Sequence, residues 1–423
     1  MKSGFDSWFL ADDFSGALEV GASWRQSGHS VEVGFDASFP SSHNSIFGLS
    51  SESRNLDTGL IADRLSSILD ETSNRWLEYK KIDSTMRGPI GLELSVIVER
   101  MPERPVLFLP TNPDAGRSVK NGCLYVDGML VAETAFASDP TSPVLENRVS
   151  RLIAASGGPK TKEIELDPDT ATALEFKDAL AAAWQDAPVA IVDATSRKNL
   201  EDWAMAARSV SPNFLGCGSG GLARAMDRIG CLRKGTEESA FVPVSEAAGS
   251  VLFVIGSAHP TSRNQLKFGE SQLQLKNETV VSDVAIWGAG ETAKLETRVA
   301  TNLKRSGMAG IVSETPSRSH SIDFRTAALM ANRLGEIASR LIKQGFVNTI
   351  FVTGGETARA VMDALGARFL SLEEELMPGV AVASVEVQGE GRITMIVKPG
   401  GFGESDLFRQ VLSRFGGSII NQS

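Results

Sequence analysis

Short apolar runs alternate with helical patterns along the whole chain, and this alternation limits the folds that the chain can adopt. Apolar runs bounded by turn residues predict buried strands, and strands that alternate with helices form parallel sheets covered by helices. The sequence therefore predicts an α/β protein built on mainly parallel sheets flanked by helices. The predicted strands are residues 105–109, 188–193, 213–216, 251–255, 310–312, 349–352 and 393–397.

The chain is long enough for two domains. It has 423 residues, of which 42% are hydrophobic and 22% are charged, so each half can bury a substantial core. Charged residues with little periodicity follow Arg233 and predict a linker between the halves. We predict an N-terminal domain at residues 1–235, a linker at residues 236–249 and a C-terminal domain at residues 250–423.

Charge and cysteine content exclude several classes of protein. The formal net charge of -10 argues against nucleic acid or an anionic membrane surface as a partner. Cys123, Cys217 and Cys231 show no metal-ligand spacing and suit a reducing cytoplasm. No apolar stretch approaches the roughly 20 residues that span a bilayer, and the first residues lack the apolar core of a signal peptide. We therefore expect a soluble, cytoplasmic protein.

The most polar predicted turn carries groups that bind small, oxygen-rich anions. Residues 80–88 read Lys-Lys-Ile-Asp-Ser-Thr-Met-Arg-Gly, follow a short predicted strand and precede an apolar-periodic helix. Ligands of open α/β sheets bind outside the carboxyl ends of the strands, so this turn is a candidate binding site. A solvated loop with a chance cluster of charges is the alternative.

Two further turns bring carboxylates and an arginine to the same kind of position. Asp12 and Asp13 follow the apolar run at residues 7–10 and precede a helical pattern. Adjacent carboxylates repel each other and tend to persist where a cation, a metal ion or a substrate hydroxyl offsets their charge. A helix-capping role for Asp13 or Ser15 is equally compatible with the sequence. Arg54 follows a third strand-like segment, and its planar fork suits a carboxylate.

Three glycine-containing turns follow predicted strands of the second half. They are residues 256–262, 352–357 and 398–403, and the second of them opens a helical pattern. Glycine at a helix start lets backbone amides meet a phosphate without an intervening Cβ. The last two turns have neither a Walker A motif nor G-x-G-x-x-G spacing, and each alone could be a tight turn or a helix cap. Together the three turns predict a nucleotide site.

The chain resembles the four-carbon acid sugar kinases, which phosphorylate threonate, erythronate and 3-oxo-tetronate. The resemblance rests on segments that occur in the family's order and cover nearly the whole chain. They are ADDFSGA from Ala11, ESR from Glu52, KKIDSTMRG from Lys80, PTNPDAGRSVKNGCLYVDG from Pro110, AETAFASDPTSPVLENRV from Ala132, GSGGLARAM from Gly218, VTGGETARAV from Val352 and KPGGFGESDLF from Lys398.

The resemblance implies a kinase that uses ATP and Mg²⁺ to phosphorylate the terminal hydroxyl of a four-carbon acid sugar in a cleft between two domains. In this hypothesis Arg54 and Lys81, together with Arg87, hold the substrate carboxylate. Either Asp12 or Asp13 is the general base that takes the proton of the attacking hydroxyl. The small acid is the expected partner, and a homodimer is compatible with this interpretation. The remaining predicted substrate-binding residues are Ser15, Asp83, Ser84 and Arg117.

The resemblance also implies that the three glycine-containing turns bind ATP, with two departures from the family pattern. His259 stands where family members commonly carry a second serine, and Pro399-Gly400-Gly401-Phe402 replaces the more usual Ser-Gly-Asn-Phe. An imidazole can still donate a hydrogen bond to a phosphate or a ribose. No metal ligand is predicted. The predicted nucleotide-binding residues are Ser257, His259, Ser262, Gly354, Gly355, Glu356, Thr357, Gly400 and Gly401.

Two alternatives stay open at this point. One is a kinase of a related acid such as glycerate, and the other is a non-catalytic sensor that binds an acid sugar and a nucleotide. The altered turns favour the sensor, because they depart from the family pattern where the nucleotide is expected. The enzyme is favoured by the joint presence of Asp12, Asp13, Arg54, Lys81, Asp83 and Arg87.

Overall fold

The structure is a computed structural model that describes residues 7–36, 45–139, 142–233, 249–280, 289–314 and 324–416. The chain divides into two compact units, Met1–Ser239 and Ala240–Ser423. The predicted linker at residues 236–249 lies outside the described residues except for Gly249, so the exact domain bounds stay a prediction. No helix in the described part of the chain is long and apolar enough to cross a membrane.

The first unit alternates strands and helices, as the sequence predicts. Its strands are β1 (Ser7–Ala11), β2 (Ser30–Gly34), β3 (Ser45–Ser50), β4 (Trp76–Lys81), β5 (Val106–Leu109), β6 (Arg117–Lys120), β7 (Cys123–Val126), β8 (Met129–Leu130), β9 (Thr161–Glu163), β10 (Val189–Ile191) and β11 (Leu215–Gly218). Its α-helices are α1 (Phe14–Gln26), α2 (Thr58–Glu71), α3 (Ile90–Arg100), α4 (Val149–Ala155), α5 (Ala173–Asp186), α6 (Arg197–Val210) and α7 (Gly220–Arg228).

The helices of this unit begin at side chains that bind free backbone N–H groups. Asp13 precedes α1 and accepts a hydrogen bond from the N–H of Gly16 at 2.8 Å. Thr172 and Ser196 form reciprocal capping bonds at the starts of α5 and α6. The helix-capping role that the sequence allowed for Asp13 is therefore present, and it leaves the second carboxylate oxygen of Asp13 for other contacts.

The main sheet of the first unit is parallel, with the strand order β2-β3-β1-β4-β11-β5-β10-β9. Apolar side chains fill its core, where the rings of Phe9 and Trp24 meet edge to face at 5.0 Å between centroids. Gly48 in β3 lies directly against Phe9, and a Cβ at this position would come within 2.3 Å of the ring. The predicted parallel α/β architecture is confirmed.

A small antiparallel sheet, which the sequence analysis did not predict, lies beside the main sheet. Its strand order is β6-β7-β8, and a bridge between Val119 and Ala194 joins it to the rest of the unit. Two short 3-10 helices, Val131–Glu133 and Ala135–Ser138, follow it. This segment carries Arg117 at its start and Phe136 near its end.

The second unit has an α/β core of its own. Its strands are β12 (Val251–Ile255), β13 (Asn277–Val280), β14 (Met308–Ser313), β15 (Thr349–Thr353), β16 (Phe369–Met377), β17 (Val380–Val387) and β18 (Gly391–Lys398). Its helices are α8 (Pro260–Gln272), α9 (Ala289–Ser306), α10 (Phe324–Lys343), α11 (Gly355–Leu365) and α12 (Leu407–Phe415).

The sheet of the second unit is mixed. Strands β13, β14, β12, β15 and β18 are parallel and adjacent in that order, whereas β18, β17 and β16 form an antiparallel meander. Phe253, Phe351 and Phe408 stack in its core, with ring centroids 4.5 to 5.6 Å apart. The four strands predicted here are all present, but the parallel edge strand β13 and the antiparallel strands β16 and β17 were not predicted.

The structure also shifts one predicted boundary that matters for function. Lys80 and Lys81 are the last residues of β4, so the turn that was predicted at residues 80–88 begins only after Lys81. Both lysines are buried. The strand can continue through them because each ammonium group meets a carboxylate inside the protein.

Candidate functional site

The polar turns of the first unit lie at one edge of its sheet, where the strand order reverses. β3 pairs with one side of β1 and β4 with the other, and Ala11 at the end of β1 is in register with Ser50 and Lys81. In open α/β sheets, ligands bind in the crevice at such a switch point. The structure thus brings together the three turns that the sequence analysis singled out.

A single arginine, Arg54, joins the carboxylates of these turns. Its Nε donates to Asp12 at 2.8 Å, its Nη1 donates to Asp13 at 2.5 Å, and its Nη2 lies 3.7 Å from Asp83. Burial alone would lower the pKa of Arg54, but the three carboxylates raise it well above its usual value. We call Arg54, Asp12, Asp13 and Asp83 the carboxylate cluster. The sequence analysis assigned the Arg54 guanidinium to a substrate carboxylate. In the structure, carboxylates of the protein itself bind it.

Asp12 and Asp13 differ in exposure and in pKa. The side chain of Asp12 is 2% exposed, and although burial opposes its charge, Arg54, Lys80 and Lys81 lower its pKa. The side chain of Asp13 is 23% exposed, and burial, together with the charge of Asp12, raises its pKa despite the attraction of Arg54. A carboxylate that has a raised pKa and remains accessible is suited to proton transfer. The two aspartates, which the sequence could not distinguish, therefore have different chemical character.

Asp83 is saturated by groups of the protein. Its two oxygens accept from Nη2 and Nε of Arg87 at 2.9 and 3.0 Å, and the hydroxyl and the N–H of Thr85 also donate to it. Burial would raise the pKa of Asp83, but Arg54 and Arg87 hold it far below its usual range. Arg87 in turn donates to Asp139 at 3.1 Å. Asp83 therefore acts in this structure as an ionised anchor for Arg87.

Two glutamates that the sequence analysis missed neutralise the lysines of β4. The Nζ of Lys81 lies 3.3 Å from Glu19, which also accepts a hydrogen bond from Asn112 at 3.2 Å. The Nζ of Lys80 lies 3.1 Å from Glu93, and both side chains are fully buried. Glu19 and Glu93 lie within α1 and α3 rather than in a turn. Glu19 and Glu93 could have been identified because each is an acidic residue among the apolar positions of its helix.

Arg117 differs from the other predicted cations, because no carboxylate of the described residues forms an ion pair with it. Its Nη1 donates to the carbonyl of Ala115, and its Nε is buried without a hydrogen-bond partner. Its guanidinium lies 5.8 Å from the ring centroid of Phe136, which has Arg87 at 5.3 Å as a second neighbour. Phe136, which was not predicted, connects Arg117 to the group that contains Arg87.

The same turns contain strained backbone and hydroxyls without partners. Glu52 has a φ of 55° and Met86 a φ of 63°, in the left-handed region that non-glycine residues rarely adopt. Such strain is concentrated at ligand sites, where the surrounding structure holds it in place. Ser15 and Ser84 are half-buried, and neither hydroxyl forms a hydrogen bond within the described ranges. Both hydroxyls are therefore free to bind a ligand.

The glycine-containing turns of the second unit also lie at a switch point. β14 pairs with one side of β12 and β15 with the other, and Ile255, Thr353 and Lys398 are in register at the ends of β12, β15 and β18. The three turns predicted to bind a nucleotide therefore start at neighbouring strand ends. Ser262, at the start of α8, donates to the carbonyl of Gly400 at 2.9 Å and so links the first turn to the third.

The start of α11 is open to an anion. Its N-cap residue Gly354 has a φ of 97° and provides no side-chain cap, so the N–H groups of Gly355, Glu356 and Thr357 are not satisfied by a capping side chain. The hydroxyl of Thr357 packs against the backbone of Gly256, where an added Cβ would come within 1.9 Å of the hydroxyl oxygen. Burial raises the pKa of the Glu356 carboxyl.

His259 performs the capping role at α8. Its Nδ1 accepts a hydrogen bond from the N–H of Thr261 at 3.2 Å, so in the neutral ring Nε2 carries the proton. Burial, with a smaller effect of Lys398, lowers the pKa of His259 and favours the neutral ring at pH 7. The imidazole lies close to Gly401, where an added Cβ would be 3.3 Å from Nε2. The ring thus caps the helix and keeps one N–H donor.

Two buried residues that were not predicted shape the third turn. Lys398 ends β18, and Gln265 lies in α8, and both are fully buried. Their side chains donate to main-chain carbonyls of residues 399–404. Lys398 is part of the motif that carried the resemblance, and it directly follows the predicted apolar strand at residues 393–397, which is the signal that could have found it.

The described residues contain no group of three or more His, Cys, Asp or Glu side chains that could hold a metal ion. Magnesium commonly keeps several water ligands and binds through substrate phosphates and one or two carboxylates, so it does not need such a group. A metal–nucleotide complex is therefore compatible with the residues present.

Both units match models of known protein families. Residues 8–226 match a sugar-binding N-terminal domain, and residues 252–408 match a nucleotide-binding C-terminal domain. The chain is 30% identical to a D-threonate kinase of Bordetella bronchiseptica over 78% of this chain and 75% of that one. It is 27% identical to a D-threonate kinase of Salmonella typhimurium (93% of this chain, 94% of that one) and 25% identical to a 3-oxo-tetronate kinase of Brucella melitensis (94% and 93%).

Solved structures share the fold. A protein of Salmonella typhimurium LT2 superimposes with a TM-score of 0.77 at 22% identity, covering 96% of this chain and 99% of its own. A protein of Haemophilus influenzae superimposes with a TM-score of 0.70 at 22% identity, covering 96% and 100%. With the matches to both domain models and to kinases along most of its length, the chain belongs to the four-carbon acid sugar kinase family, a family of phosphotransferases.

Proposed function

We propose that this protein transfers the γ-phosphoryl group of ATP to the terminal hydroxyl of a four-carbon acid sugar of the threonate, erythronate or 3-oxo-tetronate type. The observation that carries the proposal is the carboxylate cluster at the switch point of the first unit, in which Arg54 holds two aspartates of unlike pKa. Phosphoryl transfer needs positioning, neutralisation of charge and a group that orients the attacking hydroxyl. The cluster and the turns around it supply such groups.

Asp13 is the general base in this proposal. Its raised pKa and its exposed edge favour it over Asp12, whose carboxylate is buried and held ionised. The substrate oxygen forms a bond to the γ-phosphorus while the bond from that phosphorus to the bridging oxygen of ADP breaks. The hydroxyl proton passes to Asp13. Asp12 and Arg54 keep Asp13 in position.

Arg117 is the group that we assign to the substrate carboxylate. Arg54, Lys81 and Arg87 already pair with protein carboxylates, whereas the charge of Arg117 is not offset by an ion pair within the described residues. An unpaired guanidinium can bind a carboxylate with two parallel hydrogen bonds. Ser15 and Ser84, whose hydroxyls have no partner in the described ranges, are assigned to the substrate hydroxyls.

The nucleotide site in this proposal is formed by the three turns of the second unit. The uncapped start of α11 and the glycines at residues 400 and 401 would hold phosphate groups through backbone N–H groups. His259 Nε2 would donate one further hydrogen bond. A magnesium ion held by these phosphates would supply neutralisation of the charge on the phosphoryl oxygens. The predicted cleft, cytoplasmic location and homodimer stay predictions.

The direct test is release of ADP from Mg-ATP by the purified protein. The panel contains D- and L-threonate, D- and L-erythronate, the 3-oxo-tetronates and glycerate. We expect turnover with one four-carbon acid well above that with glycerate. Turnover with glycerate alone would show a kinase of a related acid. ATP binding without turnover of any acid would contradict the proposal and favour the sensor.

Replacing Arg117 with methionine should raise the KM for the acid about 10- to 100-fold, because hydrogen bonds to a charged group contribute about 1.5–3 kcal/mol. The KM for ATP and the melting temperature should change little. Arg197→Met is the matched control, since Arg197 is an exposed arginine that pairs with Asp114. If both variants have the same KM for the acid as the unchanged protein, the carboxylate is bound elsewhere.

A further inference from the structure

Lys398 has an unusual environment for a lysine. It is fully buried at the end of β18, and its Nζ lies 3.0 Å from the hydroxyl of Ser262 and from the carbonyls of Gly400 and Phe402, and 3.2 Å from the carbonyl of Pro399. Within the described residues no carboxylate forms an ion pair with it. Three carbonyl oxygens of one turn and the Ser262 hydroxyl at the start of α8 therefore surround the ammonium group.

This arrangement resembles a bound cation more than a salt bridge. An ammonium group is a compact point charge with three donors, and a shell of carbonyl and hydroxyl oxygens is also the environment that hard cations require. Burial lowers the pKa of Lys398 to about 7, while the four oxygens favour its protonated form. A buried charge without a counter-ion is costly, and here the oxygens of the turn and of Ser262 compensate it.

Gln265 acts on the same turn from α8. Its Nε2 donates to the carbonyls of Phe402, Gly403 and Glu404 at 3.1, 2.9 and 2.9 Å. Lys398 and Gln265 together turn the carbonyls of this segment toward the interior. The N–H groups of Gly400 and Gly401 have no backbone acceptor in the part of the chain that the structure describes. Carbonyls that face inward leave such N–H groups available to an anion.

We propose that Lys398 is a positioning residue whose ammonium group serves as a fixed internal cation, holding the carbonyls of residues 399–402 inward so that the N–H groups of Gly400 and Gly401 face a nucleotide phosphate. The inference rests on the proposed nucleotide site, but the shape of the turn can be tested without a nucleotide. Lys398 itself does not touch the phosphate in this arrangement, because its donors are used within the turn.

The first experiment replaces Lys398 with methionine, which keeps the length of the side chain and removes the charge. The amide that reports on the turn is Phe402, whose N–H donates to the carbonyl of Pro399 at 3.2 Å. At pH 6, where the ammonium form of Lys398 prevails, and without nucleotide, its hydrogen exchange should become at least tenfold faster in the variant. Exchange in β12 and β15 should be unchanged. The KM for ATP should rise about tenfold and the KM for the acid should stay constant. Lys343→Met is the matched control, because Lys343 also donates to a carbonyl, that of Ala364, outside this turn.

The second experiment uses Lys398→Ala, which leaves space for a small cation, and checks its fold by circular dichroism. Ammonium, ethylammonium or potassium chloride should restore slow exchange of the Phe402 N–H and lower the KM for ATP. Tetramethylammonium chloride at the same ionic strength should not, because it cannot donate a hydrogen bond and is too large. Restoration by all four salts alike would overturn the inference, since it would indicate a general effect of salt.

The two proposals fail in different ways. If the unchanged protein does not bind ATP but Lys398→Met still loosens the turn, the nucleotide assignment is wrong and the role of Lys398 in shaping the turn remains. If the protein binds ATP and Lys398→Met alters neither the exchange of the turn nor the KM for ATP, the inference about Lys398 is wrong. Equal losses of affinity for ATP and for the acid would also overturn it, because they would indicate general destabilisation.

Discussion

Asp13→Asn should lower kcat by about 100- to 10,000-fold, the contribution expected of a general base. The substitution removes the site that accepts the proton, but it keeps an oxygen that can accept the N–H of Gly16 at the start of α1. We therefore expect a folded protein that still binds both substrates. Steady-state kinetics with the best acid of the panel, together with a melting curve, measure this outcome.

The pH dependence of kcat provides a second test of Asp13 as the general base. Because the pKa of Asp13 is raised and the base must be ionised to accept a proton, kcat of the unchanged protein should fall as the pH drops through that pKa. The residual activity of Asp13→Asn should lack this decline. Asp57→Asn is the control, since Asp57 is another helix-capping aspartate, at the exposed start of α2. Near-normal turnover of Asp13→Asn, with loss of turnover in Asp12→Asn, would assign the base to Asp12.

Arg54→Met should destabilise the protein and abolish turnover together. Arg54 is the shared counter-ion of Asp12, Asp13 and Asp83, and breaking a buried ion pair by removing one partner costs about 3–5 kcal/mol. Without it the carboxylates repel each other and Asp13 loses its orientation. Urea unfolding at pH 8 should show the loss of stability, and the activity assay should show no turnover.

The pH dependence of the stability loss distinguishes loss of the Arg54 charge from loss of side-chain packing. Arg54 stabilises ionised carboxylates, and in the variant their pKa values should rise because the cation is absent. Protonation relieves their repulsion, so the stability difference between the two proteins should shrink between pH 8 and pH 5. Arg100→Met is the control, because Arg100 forms an exposed pair with Asp70 that should contribute about 1 kcal/mol or less. A difference that does not depend on pH would contradict the electrostatic account.

Much of the fold could be predicted because most of the parallel strands are nearly continuous apolar runs, whereas the short polar edge strands β9 and β13 were not predicted. Residues 251–255, for example, form β12 as predicted, since both faces of this strand are buried and every side chain is apolar. The polar turns were found for the same reason, because they interrupt the apolar pattern at the strand ends. β16 was missed because its sequence, FLSLEEELM, contains three consecutive glutamates and does not resemble a buried strand.

The partners of the site residues could not be predicted, because they depend on contacts that are distant in sequence. Glu93 is separated from Ser53 by 40 positions, yet it accepts a hydrogen bond from the hydroxyl of Ser53 and pairs with Lys80. Nothing in a helix such as α3 indicates which strand its one buried acid will meet. The chemical difference between Asp12 and Asp13 likewise depends on burial and on the distribution of cations around them, which only the folded chain defines.

The small antiparallel sheet has a consequence for how enzymes of this kind can diversify. Its strands and the short helices that follow it carry Arg117 and Phe136, whereas Asp12, Asp13 and Arg54 lie in turns of the main parallel sheet. In the proposed assignment, the arginine that binds the carboxylate of the acid lies in this segment, whereas the residues that react with the acid lie in turns of the main sheet. Substitutions or exchanges within residues 117–139 could then redirect the enzyme to a longer or differently oxidised acid while the reaction chemistry is inherited unchanged.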